Sequence, residues 1–159
     1  MSAQLFEHGV QQYQSKFTGL VNDISIQSIK MVAKSRGISE EMLKSGLETN
    51  SKEFRQFCYI YASTVMPGRV SCTTYAAVVA IIAQHFGVAF KVYAGFCLRK
   101  SSPRYIRDKK DWEAKKATGE EHPFFATHVY CEANGNAYEY YDGDTSGVEH
   151  LDVVEIAAG

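Results

Sequence analysis

A cysteine placed where a helix should begin is the first candidate for chemistry in this chain. Cys72 follows Gly68 and precedes the apolar run TTYAAVVAIIAQHF, which we predict to be a buried helix ended by Gly87. A thiol reacts as the thiolate, and its pKa of about 8.5 is lowered at a helix N-terminus by unpaired N–H groups and the helix dipole. Most lone cysteines are simply small core residues, so the hypothesis of a nucleophile depends on its partners.

His128 is the partner that we predict for the nucleophile. It lies in THVYCE, a predicted strand, and a histidine on a strand can be held against a helix N-terminus as a general base. The imidazole then needs an acceptor that fixes its tautomer, and Asp142 and Glu139 are both in range. A three-residue loop at 134–136 places Asp142 opposite His128 at about 5 Å, whereas a two-residue loop puts Glu139 on the same face. We favour the three-residue loop and predict Asp142.

The other histidines fit the role of base less well. His85 is near the far end of the predicted helix, about 20 Å from its start, which is too far for proton transfer. His122 is a looser rival, because it precedes the strand, and His8 and His150 are expected at the surface.

The elements that must position these residues predict an α+β fold. Residues 1–66 have apolar residues at helical spacing, with helix starts expected at Ser39 and at Asn50, which forms a capping-box pattern with Glu53. After the buried helix, alternation from Phe90 to Leu98 predicts a strand, and THVYCE, AYEYYD and LDVVEI predict three more. Helices followed by strands predict a catalytic helix packed on an antiparallel sheet.

Residues 101–123 form a charged excursion without a clear period. It contains the one tryptophan, Trp112, around which a short helix is possible. Long irregular segments often border binding sites, so we expect this one near Cys72, with Trp112 contacting substrate. The alternative is that Trp112 only anchors the segment to the body of the protein.

Composition limits the class of protein. The 159 residues, 45% of them hydrophobic, suit a single domain, 1–159, and the net charge of −1 gives no field for binding nucleic acid. No signal peptide or membrane span is evident, so we expect a cytoplasmic protein that does not bind membranes, although export without a signal peptide stays open. The four cysteines form no CxxC pair, so we expect reduced thiols, no metal and no cofactor. The oligomeric state is not indicated.

Residues 68–145 resemble the core of the transglutaminase-like superfamily, which has a papain-like fold. The run GRVSCTTYAAVVAIIAQHFGVAFKVYAGF is similar to that family's glycine, nucleophilic cysteine, Tyr-Ala pair and following strand. The segment THVYCEANGNAYEYYDGDT is similar to its pattern H-x-W-x-E … G-x-W … D-P-T. Two tyrosines stand where the family usually has tryptophan, and a glycine replaces the proline; these departures are Tyr130, Tyr138 and Gly143.

The resemblance implies acyl transfer on an amide bond of a protein or peptide substrate, as in peptidases, deamidases and transglutaminases. Cys72 would form a thioester and its own N–H would be an oxyanion donor, with Gln56 or Tyr75 as candidates for the second donor. Tyr75 and Tyr130 are expected, with Trp112, to contact substrate. The alternative from a different class is a non-catalytic protein-binding module that keeps this fold.

Overall fold

The computed structural model describes residues 3–65, 72–99, 109–117, 128–139 and 148–159. These residues form six helices and four strands. The helices are α1 (Ala3–Asp23), α2 (Ile26–Ser35), α3 (Glu40–Thr49), α4 (Lys52–Val65), α5 (Cys72–His85) and α6 (Lys109–Ala117). The strands are β1 (Phe90–Arg99), β2 (His128–Ala133), β3 (Asn136–Tyr138) and β4 (Val148–Ala158).

The starts of α3 and α4 show one correct and one wrong prediction. Ser39 caps α3 as predicted, since its side chain accepts the N–H of Met42 at 3.2 Å. Asn50 does not begin α4; it is the left-handed C-cap of α3, with φ of 53°. Ser51 caps α4 instead, because its hydroxyl accepts the N–H of Phe54 at 3.1 Å. Asparagine tolerates the left-handed conformation, so it can end a helix as readily as begin one.

Helix α5 is the centre of the fold. Ten of its fourteen residues are buried, because it packs against β2 and β1 as well as α1 and α4. The predicted stop at Gly87 is confirmed: this glycine has φ of 69°, and the next N–H, of Val88, bonds back to the carbonyl of Ala83. A helix anchored on several sides holds its first residue, Cys72, in a fixed place.

The four strands form one antiparallel sheet in the order β3-β2-β1-β4, which confirms the α+β class. Val92 and Ala94 of β1 lie in the core with Val129 and Cys131 of β2. Alternation therefore places the side chain of His128 on the other face of the sheet.

Gly95 lies directly opposite His128 in the pairing of β1 with β2. It has φ of 156°, and a Cβ there would collide with the backbone of Asp152 and Val153 on β4. The glycine therefore lets β4 approach β1 closely at the position opposite His128.

The β2–β3 hairpin does not have the predicted three-residue loop. Ala133 pairs with Asn136, so only Asn134 and Gly135 lie in the turn, and both have positive φ, 51° and 77°. This is the type I′ conformation whose twist suits a hairpin. The side chain of Asn134 also donates to the carbonyl of Glu48 in α3 at 2.6 Å, which ties the turn to the helices.

Helix α6 confirms the short helix that the sequence allowed around Trp112. The remainder of 101–123 lies outside the described residues. Of the helices in the described ranges, none combines the length and the apolar character that crossing a membrane requires.

Candidate active site

Cys72 is the first residue of α5 and is partly exposed. Its backbone N–H is one of the four at a helix start that have no acceptor within the helix. The thiol lies near the start of β2, where the side chain of His128, the backbone N–H of Val129 and the side chain of Thr73 each stabilise its thiolate form. Burial alone would raise the pKa of Cys72, but the hydrogen bond and charge of His128, with the Val129 N–H, lower it below its usual value.

His128 joins the thiol to a carboxylate. Its Nε2 lies 2.9 Å from Oε1 of Glu139, and these side chains are only 2% and 1% exposed. Since Nε2 contacts the carboxylate, Nδ1 is the ring nitrogen that can serve Cys72. Burial would lower the pKa of His128, but its hydrogen bonds and charge interactions with Cys72 and Glu139 raise it to about 9.

Glu139 follows β3 directly and was the acid that the sequence analysis ranked second. With the two-residue turn, Cys131 pairs with Tyr138, so Glu139 comes onto the same face as His128. Asp142, the predicted orienting acid, lies outside the described residues. The register on which its choice rested is wrong, because Asn134 adopts a positive φ and shortens the loop by one residue.

One carboxylate oxygen of Glu139 accepts from two histidines. Nε2 of His150 lies 2.9 Å from the same Oε1 that contacts His128. Burial would raise the pKa of Glu139, but the hydrogen bonds of His128 and His150 hold it below its ordinary value. The carboxylate is therefore ionised at neutral pH and can stabilise a charged His128.

His150 was expected at the surface and is partly exposed there, but its contact with Glu139 was not predicted. Its side chain is 29% exposed and stacks on Tyr130, with ring centroids 4.0 Å apart and planes 5° apart. It lies on β4, two strands away from β2 in the sheet. No local sequence pattern joins β4 to His128, so only the sheet order reveals the contact.

Two of the three residues that were predicted to contact substrate, Trp112 and Tyr75, have buried side chains. Trp112 is 1% exposed; its Nε1 donates to Oδ2 of Asp152 at 2.6 Å, and its ring lies 4.6 Å from that of Phe96. These contacts fit the alternative in which Trp112 anchors α6 to the sheet. Tyr75 is also 1% exposed, and burial raises the pKa of its hydroxyl, with the neighbouring charge of Cys58 adding to the effect.

Tyr130, the third, is buried within a row of near-parallel rings. Its centroid is 4.0 Å from that of His150, 5.3 Å from that of Tyr93 and 6.1 Å from that of His128. It therefore packs under the candidate site, and contact with substrate stays a prediction.

Neither of the two predicted candidates for the second oxyanion donor, Tyr75 and Gln56, is among the groups that stabilise the thiolate of Cys72 in the described part of the chain. The hydroxyl of Tyr75 interacts with the buried Cys58, and Gln56 is exposed on α4. A residue that sequence analysis missed is Tyr13 of α1: burial raises its pKa, and a charge interaction with Cys72 raises it further. Nothing in the pattern of α1 distinguishes this tyrosine from a core residue.

The arrangement suits a thiolate–imidazolium pair, because each member stabilises the charge of the other. Within the described ranges, no group of three or more histidine, cysteine or acidic side chains is arranged to hold a metal ion. Comparison of the chain with family models, with curated proteins and with solved structures gave no match.

Proposed function

We propose that this protein is a cysteine-dependent acyl-transfer enzyme that acts on amide bonds of a protein or peptide through a thioester on Cys72. The observation that carries the proposal is the position of His128, which lies between the thiol of Cys72 and the buried carboxylate of Glu139. Histidines that only fill space do not need a charged acceptor and a thiol on opposite ring nitrogens.

The proposed acyl transfer uses Cys72 as the nucleophile and His128 as the group that gives and takes the proton. The Cys72 thiolate attacks the carbonyl carbon, and the oxyanion forms beside the N–H groups at the start of α5, which have no acceptor within the helix. The C–N bond then breaks as imidazolium His128 gives its proton to the leaving nitrogen, which leaves a thioester. Water or an amine attacks the thioester carbonyl, His128 takes the proton from this nucleophile, and the C–S bond breaks to restore the thiolate.

Glu139 takes the part of the orienting acid in this proposal. Its Oε1 fixes Nε2 of His128 as the protonated nitrogen, which directs Nδ1 to the thiol. The order of a helix beginning at the cysteine, then an antiparallel sheet with the histidine on its second strand, supports a transglutaminase-like core. We therefore keep that resemblance as part of the proposal.

The nucleophile can be tested without knowing the substrate. At pH 6 a thiol with a pKa of about 8.5 is only about 0.3% thiolate, so an ordinary cysteine reacts slowly with iodoacetamide. We expect Cys72 to be alkylated at least tenfold faster than Cys58 or Cys131, both fully buried with pKa values raised by burial. Peptide mass spectrometry of the folded protein measures all the rates in one sample.

The histidine is tested in the same assay. His128→Asn should slow alkylation of Cys72 at pH 6 by about tenfold or more, because a charge-assisted hydrogen bond is lost. The matched control is His85→Asn, which removes an imidazole that pairs with Glu40 on the surface at 2.7 Å. A Cys72 that reacts no faster than an ordinary exposed thiol would instead indicate the protein-binding module.

The outcome of acyl transfer is tested with peptides. Ammonia release from glutamine or asparagine side chains identifies a deamidase or, when an added amine is incorporated, a transglutaminase. New amino termini without ammonia identify a peptidase. Cys72→Ala must abolish whichever product appears.

A further inference from the structure

We propose that His150 is a positioning residue of this site, which holds the carboxylate of Glu139 against His128. Its role in catalysis rests on the function proposed above, whereas the hydrogen bond itself does not. The proposal stands on a shared atom: Oε1 of Glu139 is 2.9 Å from Nε2 of both histidines.

A buried carboxylate needs more than one donor. Glu139 is 1% exposed and has lost its hydration, and its second oxygen, Oε2, has no hydrogen-bond partner among the described residues. Desolvation on this scale favours the neutral acid, which cannot stabilise an imidazolium. His150 supplies the second N–H and so helps to keep Glu139 ionised.

The ring of His150 is held in the plane that this contact requires. Tyr130 stacks beneath it at 4.0 Å with an angle of 5°, and the ring of His128 lies on the same tyrosine at 20°. Both imidazoles therefore lie nearly parallel to the ring of Tyr130, and the edge of each faces Oε1 of Glu139. Among the described residues, the titratable groups that contact His150 are Glu139 and Tyr130, with His128 on the other side of the carboxylate.

Two substitutions separate the hydrogen bond from the packing. His150→Phe keeps an aromatic ring on Tyr130 but removes the N–H, whereas His150→Gln restores an amide N–H at about the reach of Nε2. His85→Phe is the matched control, because it removes the imidazole that contacts Glu40 far from the site. Thermal unfolding of each variant checks that it is folded.

The readout is the pH dependence of Cys72 alkylation, measured from pH 4 to pH 8. Loss of the His150 N–H raises the pKa of Glu139. As the solution is acidified, the carboxylate that stabilises imidazolium His128 is then protonated at a higher pH than in the unaltered protein. On the acid limb, the low-pH side of the profile where the alkylation rate of Cys72 falls, we expect His150→Phe to shift the curve to higher pH by about one unit. At a fixed pH on that limb, alkylation should then be roughly tenfold slower. His150→Gln should recover most of the shift, and His85→Phe should show none. An unmoved limb in folded His150→Phe overturns the proposal.

A measurement on the unaltered protein separates this proposal from the proposed function. Nitrogen-15 NMR of the imidazoles should show a proton on Nε2 of His150, since only a protonated nitrogen can donate to Oε1. An unprotonated Nε2 overturns the positioning role even if no variant folds. If Nε2 is protonated but Cys72 is no more reactive than an ordinary thiol, the proposed function fails while the hydrogen bond stands.

Discussion

Replacing Glu139 by glutamine removes one charge from the site and almost nothing else. The amide oxygen can still accept from His128, but it no longer carries the negative charge that acts, after Cys72, to raise the pKa of this imidazole to about 9. Both side chains are nearly fully buried, at 2% and 1% exposure, so solvent screens the pair little. A hydrogen bond to a charged group contributes about 1.5–3 kcal/mol, which corresponds to roughly a 10- to 150-fold change.

We therefore expect Glu139→Gln to slow the alkylation of Cys72 at pH 6, and any amide turnover at pH 7, by about 10- to 100-fold. Glu40→Gln is the control, because it makes the same change in a His–Glu pair that is 28% and 50% exposed, where the pair contributes little. The far-ultraviolet circular dichroism spectrum should be unchanged in both variants.

Asp142→Asn completes this test of the hairpin register. With a two-residue turn, Glu139 is the acid beside His128. Asp142→Asn leaves this carboxylate in place, so we expect the alkylation rate of Cys72 to fall by less than about threefold. A large loss in Asp142→Asn with normal rates in Glu139→Gln would refute the assignment of the orienting acid.

Two further predictions concern His128 and the hairpin. Turnover should fall as the pH rises through about 9, because above the raised pKa of His128 the imidazole has no proton to give to the leaving nitrogen. Alkylation of Cys72 needs only the thiolate, so its rate should not fall in this pH range. A parallel fall in both rates would contradict the assignment. Tyr138→Phe should lower the free energy of unfolding, measured in urea, by about 1–3 kcal/mol. The reason is that the buried hydroxyl donates at 2.6 Å to the carbonyl of Leu47 in the last turn of α3, which has no acceptor role within the helix. A loss below about 0.3 kcal/mol would contradict this role of the hydrogen bond.

Local signals in the sequence predicted the elements that surround the site. The nearly continuous apolar run after Cys72 predicted a buried helix, and the glycine at 87 predicted where it ends. The strict alternation of apolar residues from Phe90 predicted β1, since the two-residue period of a strand is set by its own backbone. These predictions depend on residues within a few positions of one another.

The partners of His128 depended on contacts that no local pattern fixes. A change of one residue in the loop decides whether Glu139 or Asp142 faces the imidazole, and Asn134 can occupy either kind of turn. The left-handed conformation of Asn50 is a similar case, because the same residue type begins or ends a helix according to the chain that follows.

The sequence by itself determined the helix that presents Cys72 and the strand that carries His128, because both are encoded by short-range periodicity. Tertiary structure alone decided that His128 and His150 meet at one oxygen atom of Glu139, since this requires the order β3-β2-β1-β4 and the close approach of β4 to β1 at Gly95. The hydrogen bonds and charges of these groups then shifted the pKa values of His128 and Glu139 against the effect of burial, and the folded interior strengthened them by removing the water that would otherwise screen them.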